Sequence, residues 1–158
     1  MWKFYFLLFL CFCVPFSYLV VPRCFPHIPL SQLWGGIHQP MVRGLYTASI
    51  LLAAAGFLTV LVYAYHHLTD SLFGAMILLL TASVFWMPFM YLSLTDRRWT
   101  APMIIVLALV GIAAAWMVAA VAVARENDQW ALVGASYLCF HVVVLDFIVF
   151  SLAYLLKN

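Results

Sequence analysis

The last stretch of the chain, residues 130–158, reads WALVGASYLCFHVVVLDFIVFSLAYLLKN and determines the fold class. Its apolar part runs from Trp130 to Leu156, which is long enough for a helix to cross the roughly 30 Å hydrocarbon core of a bilayer. His141 and Asp146 lie inside this stretch. Ionisable residues at such a depth are costly and usually face a bundle interior, a cavity or a partner. The stretch therefore predicts a membrane-spanning helix with polar side chains turned inward.

The spacing of these two residues predicts that they act separately. They are five positions apart, which corresponds to about 140° around an α-helix. We therefore expect His141 and Asp146 to lie on different faces and to need partners on other helices. Asp146 is then a structural residue bonded to hydroxyl groups, a contact for a ligand, or a protonatable site.

The composition extends the membrane assignment to the whole chain of 158 residues. Hydrophobic residues make up 68% and charged residues only 8%, whereas a soluble domain carries about 25% charged residues. We expect an all-α integral membrane protein, a five-transmembrane-helix bundle that forms a single domain over residues 1–158. The net charge of +2, without a basic tract, argues against a nucleic-acid partner.

The apolar runs predict five membrane-spanning helices. The expected spans are about 2–21, 44–65, 71–94, 101–124 and 130–156. Pro15 is expected to interrupt the first run. That run is nevertheless too long, and too poor in cleavage signals, for a secretory signal peptide, so we expect it to be retained. Residues 22–43 contain four prolines and the Gly35-Gly36 pair, which exclude a continuous helix and indicate an interfacial loop.

The distribution of Lys and Arg predicts the orientation of the bundle. Five spans place the two termini on opposite sides. One side carries Lys3 and Arg125, and the other carries Arg23, Arg43, Arg97, Arg98 and Lys157. By the positive-inside rule we expect the C-terminus and the loop 22–43 on the cytosolic side, or its topological equivalent. The sequence does not identify the organelle.

Small residues predict how the helices pack. Membrane helices associate through faces of small residues that allow close backbone approach. Such faces are formed by Gly111, Ala115 and Ala119 in the fourth span, and by Gly44, Ala48 and Gly56, with Ser49 and Ala53 beside them, in the second. They predict a tight bundle, and the same faces would equally serve a homodimer.

Trp86 lies beside a predicted opening in the third span. Pro88 has no N–H, so the carbonyl group of Val84 loses its helical partner. The aromatic residues around this point form either a belt at the membrane interface or the mouth of a cavity between helices.

The sequence contains no motif for catalysis. A G-x-S-x-G nucleophile motif and a Gly-rich phosphate loop are both absent. His66 and His67 with Asp70 are more typical of a helix end than of a metal site. The four cysteines have no C-x-x-C spacing and are typical of inert buried thiols. We therefore expect no enzymatic activity, no catalytic residue and no metal.

Three segments resemble motifs of the tryptophan-rich sensory protein/translocator protein family. Pro40-Met41-Val42-Arg43-Gly44-Leu45-Tyr46 is similar to that family's P-V-W-T-x-L-Y, and Trp86-Met87-Pro88-Phe89-Met90-Tyr91 is similar to its W-S-P-L-F-F. Tyr137-Leu138, followed by Leu145-Asp146, resembles the Y-L and L-N pairs of its last span. The chain departs from the family at Val42, where the family has Trp, and at Asp146, where it has Asn. The family's W-x-P-P loop signature is absent.

The resemblance implies a helical bundle, often dimeric, that binds porphyrins, sterols or similar flat apolar ligands. It also implies that Tyr46, Trp86 and Asp146 lie near the ligand pocket.

Two functional hypotheses follow. In the first, the protein binds or carries an apolar small molecule, such as a porphyrin, a sterol or a lipid-like compound, without chemistry. Its cavity would be lined by Tyr46, Trp86, Tyr137, His141 and Asp146. In the second, the protein is a structural or accessory subunit of a larger membrane complex. A binder requires an internal apolar cavity that Asp146 reaches, whereas a subunit requires a filled core and apolar outer faces for partner subunits or membrane lipids.

Overall fold

The structure is a computed structural model that describes residues 1–34, 37, 39–124 and 128–157. Within these ranges the chain is helical and contains no strand. The Gly35-Gly36 pair and Arg125, which entered the predictions of the loop and the orientation, lie outside the described residues.

Five stretches of helix are long and apolar enough to cross a membrane. Four of them are α1 (Trp2–Cys24), α2 (Pro40–His67), α3 (Asp70–Thr95) and α4 (Thr100–Ala122). The fifth, called the last span below, consists of α5 (Gln129–Phe140), a π-helical segment (His141–Phe150) and α6 (Ser151–Lys157). The prediction of an all-helical chain with five such helices is confirmed, and they suggest a multi-pass membrane protein.

Proline does not interrupt the spans, so the predicted break at Pro15 is wrong. α1 continues through Pro15 and Pro22, and α3 continues through Pro88. Membrane helices tolerate proline because hydroxyl side chains and neighbouring helices compensate for the freed backbone groups. In α1, the carbonyl oxygens that lose their helical partners are those of Cys11 and Tyr18, four positions before Pro15 and Pro22.

The connection between α1 and α2 is consequently shorter than the predicted loop 22–43. It runs from residue 25 to residue 39, and it includes a 3₁₀ turn at Leu30–Trp34. α2 begins at Pro40, whose fixed backbone angle suits the first turn of a helix.

α3 and α4 form the centre of the bundle. α3 packs against α1 and α4, α4 packs against the last span, and the last span packs against α2. α1 and α2 also meet, at the rings of Phe4 and Tyr65, whose centroids are 5.1 Å apart. The contact of α2 with the last span is the one that assembles the candidate site.

The small-residue faces are used differently from the prediction. A four-residue repeat marks a helix face, but it does not determine whether that face meets protein or lipid, because both are apolar. Of the predicted seam residues, Ser49, Ala53, Gly56 and Gly111 are buried, and Gly44, Ala48, Ala115 and Ala119 are exposed.

α2 and α5 approach each other at Gly56 and Gly134. A Cβ atom on Gly56 would lie 2.5 Å from the carbonyl oxygen of Gly134. A Cβ atom on Gly134 would overlap Thr59 Oγ1 and lie 2.6 Å from the carbonyl oxygen of Gly56. The two backbones are therefore in direct contact, which requires glycine at both positions. Gly56 was predicted to lie in a packing face, but Gly134 was not.

Candidate functional site

The π-helical segment His141–Phe150 brings His141 and Asp146 together. In a π-helix the hydrogen bonds join residues five positions apart, so such residues share a face. His141 Nε2 accordingly lies 3.6 Å from Asp146 Oδ2. The prediction that the two residues lie on different faces is wrong, because it assumed α-helical geometry throughout the span.

Side chains of α2 complete a polar cluster, which we define as Tyr46, Ser49, Tyr137, His141 and Asp146. The Tyr46 hydroxyl donates to Asp146 Oδ1. Ser49 Oγ lies 2.8 Å from His141 Nδ1 and 3.4 Å from the hydroxyl oxygen of Tyr137. The rings of Tyr46 and His141 contact each other edge to face, with centroids 5.5 Å apart. Four of the five predicted site residues therefore meet in one place.

The cluster is largely buried. Tyr46, Ser49 and His141 are less than a tenth exposed, and the Asp146 side chain is 26% exposed. Burying a polar group costs free energy unless it is hydrogen-bonded. The Tyr46 hydroxyl satisfies one carboxylate oxygen of Asp146, and Ser49 satisfies one ring nitrogen of His141.

Trp86, the fifth predicted residue, lies beside the cluster rather than within it. Its ring contacts those of Tyr18 and Phe150, with centroid distances of 5.7 and 6.1 Å. Among the described residues, Trp86 Nε1, the hydroxyl of Tyr91 and Ser151 Oγ are buried without a hydrogen-bond partner.

Two residues of the site were not predicted as such. Ser49 was identified only as a packing residue, and Tyr18 was not identified. Ser49 follows Tyr46 by three positions, so both lie on one face of α2. This periodicity was the available signal for Ser49. Tyr18 carries no comparable signal, because its place depends on how α1 packs.

An apolar cavity of about 200 Å³ lies among the five spans. Its wall includes Val14 of α1, Ala53 and Phe57 of α2, Leu80 of α3 and Val142 of the π-helical segment. Ala53 lies one turn from Ser49, and Val142 follows His141. Asp146 is not part of the wall and lies one turn beyond Val142. An apolar cavity is present, but Asp146 does not line it, so the predicted contact of Asp146 with such a cavity is not formed.

A second cavity, of about 620 Å³, lies at the C-terminal end of α3. Gln32, Ser93, Asp96, Arg97 and Tyr154 are among the residues around it. None of the predicted site residues lines this cavity, so it is separate from the polar cluster.

Contacts join Ser49 to His141 and His141 to Asp146, as in the Ser-His-Asp triad of a hydrolase. The geometry nevertheless differs from that of a triad. The 3.6 Å between His141 and Asp146 exceeds hydrogen-bond length. Ser49 is buried inside α2, where the backbone N–H groups serve the helix rather than a developing oxyanion. The arrangement therefore differs from a catalytic triad in its His–Asp contact and in the surroundings of the serine.

A metal-binding arrangement is not formed in the described ranges, where no three His, Cys, Asp or Glu side chains come together. The ring of His66 contacts Tyr65, with centroids 4.8 Å apart, and Asp70 forms an ion pair with Lys3.

No protein-family model matches the chain, and no curated protein or solved structure is significantly similar to it. The resemblance of the segments at residues 40–46, 86–91 and 137–146 to the tryptophan-rich sensory protein/translocator protein family stays a prediction from those residues.

Proposed function

We propose that this protein binds an apolar small molecule inside its helical bundle. The polar cluster would hold the polar group of the ligand, and the apolar cavity would hold its hydrocarbon part. The observation that carries the proposal is the position of the cluster, which begins one turn from the cavity wall on α2 and directly beside it on the last span.

The π-helical segment supports this proposal. π-helical geometry is rare, it usually extends over a single turn, and it is frequent at functional sites. Here it extends over ten residues and places both His141 and Asp146 against α2. A bundle that needed only to pack would be served by an ordinary α-helix.

The size of the cavity limits the part of the ligand that it can hold. The volume of about 200 Å³ holds a compact apolar group, since pockets for complete drug-sized ligands have roughly 300–1,000 Å³. A porphyrin or a sterol would have to extend beyond the cavity.

The proposal includes the orientation inferred from the sequence, with the C-terminus and the first loop on the cytosolic side. It includes no chemical step. The protein would hold or carry its ligand unchanged.

Filling the cavity tests the proposal. Ala53→Leu adds apolar volume to the cavity wall, whereas Ala55→Leu adds the same volume on the exposed face of α2. After mild detergent purification and solvent extraction, mass spectrometry should find a stoichiometric small molecule in the wild type and in Ala55→Leu. Ala53→Leu should have lost most of it while remaining folded. Stoichiometric partner chains without any small molecule would overturn the proposal.

An accessory-subunit function is the second candidate, and the outer face of α1 favours it. Tyr5, Phe9, Phe12 and Phe16 recur at helical spacing, and each is more than half exposed. Such an aromatic face would suit a partner helix as well as lipid. The same purification separates the two candidates, because a subunit would retain its partner chains in both Ala53→Leu and Ala55→Leu.

A further inference from the structure

The carboxylate of Asp146 has no lysine or arginine partner among the described side chains. Its contacts are the hydroxyl of Tyr46 and the ring of His141. Arg43 is the basic residue of α2 nearest to Tyr46 in the sequence, but its Nε donates to the carbonyl oxygen of Ile37 at 2.7 Å. Its guanidinium group lies over the ring of Trp34, 5.6 Å from the centroid. The polar cluster therefore contains one acidic group and no permanent positive charge.

Aromatic rings lie next to the partners of this carboxylate. The ring of Tyr46 contacts those of His141 and Trp34, with centroid distances of 5.5 and 6.0 Å. The faces of such rings attract cations, most strongly where water is excluded.

The charge balance of the site disfavours an anionic ligand. An anion beside Asp146 would add a second negative charge in a low-dielectric environment, where like charges repel strongly. A cation would instead complete an ion pair, and it would do so at a site that already provides aromatic rings.

We propose that the ligand is a lipophilic amine, whose ammonium group pairs with Asp146 and whose compact apolar group occupies the cavity beside Ala53, Phe57 and Val142. This inference rests on the proposed function, which it deepens by naming the class of ligand. A dry cavity of about 150 Å³ accommodates a benzene molecule, so the present cavity of about 200 Å³ accommodates a single ring. A short alkyl chain between the ammonium group and the apolar group would run past Ser49 and His141.

Two probes of the same shape test this inference. Phenylbutylamine carries the ammonium group, and phenylbutanol replaces it with a hydroxyl group. Their binding is measured by equilibrium dialysis against the protein in nanodiscs of zwitterionic phosphatidylcholine, with empty nanodiscs to correct for partitioning. The wild type should bind the amine at least about tenfold more tightly than the alcohol, the scale of one hydrogen bond between an ammonium group and a carboxylate.

Variants of Asp146 test whether its carboxylate causes the preference for the amine. Asp146→Asn retains an acceptor for Tyr46 but removes the charge, so it should bind the two probes within about threefold of each other. Asp146→Glu should keep the preference for the amine. Asp128→Asn removes the same charge at the start of the last span, where Asn is an equally good helix cap. This control should behave like the wild type.

The outcomes separate the inference from the proposed function. Equal affinities of the two probes for the wild type, or unchanged amine selectivity in Asp146→Asn, would overturn the amine inference, while binding itself would still support a ligand site. If neither probe binds, the amine inference is wrong, and the co-purification result for Ala53→Leu decides the proposed function separately. Binding of phenylbutanol to Asp146→Asn would show that the variant retains a folded site.

Discussion

Single residues set the distance between α2 and the last span. Gly56 and Gly134 allow the two backbones to touch, and this approach brings Ser49 within 2.8 Å of His141. A side chain at either glycine would push α2 outward and lengthen that hydrogen bond. The geometry of the polar cluster therefore depends on two residues that carry no chemistry themselves.

Gly134→Ala should destabilise the bundle by about 1–3 kcal/mol, because the added methyl group meets backbone that cannot rotate away. Gly44→Ala is the matched control, since nothing lies within 4 Å of its added Cβ. That control should be neutral or stabilising by about 0.5–1 kcal/mol, the usual gain from Gly to Ala inside a helix. Unfolding in mixed micelles would measure both values. Equal stability of the two variants would contradict a backbone contact at Gly134.

At the level of elements, the π-helical segment decides which side chains of the last span face α2. Its hydrogen bonds join residues five positions apart, and it lies between two α-helical segments, α5 and α6. The pair His141 and Asp146 shares a face only through this geometry. If one intervening residue were deleted, the same pair would be four apart, which is also a shared face in an α-helix.

Deleting Val144 should therefore be tolerated, with an α-helix replacing the π-helical hydrogen bonds across the deletion. Deleting Ser136 also removes one residue from the last span, but it does so within the α-helical segment α5. The deletion rotates Gly134 relative to the polar cluster, so that Gly134 can no longer face Gly56 while His141 and Asp146 face α2. The Val144 deletion should retain a cooperative unfolding transition, whereas the Ser136 deletion should lose it. The measurement is thermal unfolding followed by circular dichroism in detergent. The opposite ranking would show that the segment has no special tolerance for a missing residue.

For the whole molecule, the arrangement of the spans predicts which ends share a side. The C-terminal end of α1 lies on the same side as the start of α2, the end of α3 and the end of the last span. The excess of Arg and Lys lies on this side by sequence. We expect it to be cytosolic.

Cys24 provides a native probe of this orientation, because it is exposed at the end of α1. With Cys11, Cys13 and Cys139 replaced by Ala, a membrane-impermeant maleimide should label Cys24 only from the cytosolic side. In the same background with Cys24→Ala, the variant Asp128→Cys should be labelled only from the opposite side. Gel-shift detection in sealed vesicles of known sidedness measures both. Labelling of Cys24 from the non-cytosolic side alone would show that the predicted orientation is wrong.

The sequence by itself determined the five apolar helices, because the hydrophobic effect and the length of a bilayer-spanning helix depend on composition and run length alone. It also identified His141 and Asp146 as unusual, since ionisable groups inside apolar spans are costly wherever they point, whereas Tyr46 and Tyr137 were predicted with the family resemblance. Only the tertiary structure decided which of them meet. Tyr46 and Asp146 are 100 positions apart in the chain, so their hydrogen bond depends on the packing of α2 against the last span.

The π-helical segment shows that, even within one helix, the sequence did not predict which side chains meet. No pattern of apolar residues distinguishes five-residue from four-residue hydrogen bonding over so short a stretch, because the difference arises from contacts with neighbouring helices. The ordinary assumption of α-helical geometry therefore separated His141 from Asp146. The folded bundle places them 3.6 Å apart, on the face where Tyr46 and Ser49 meet them.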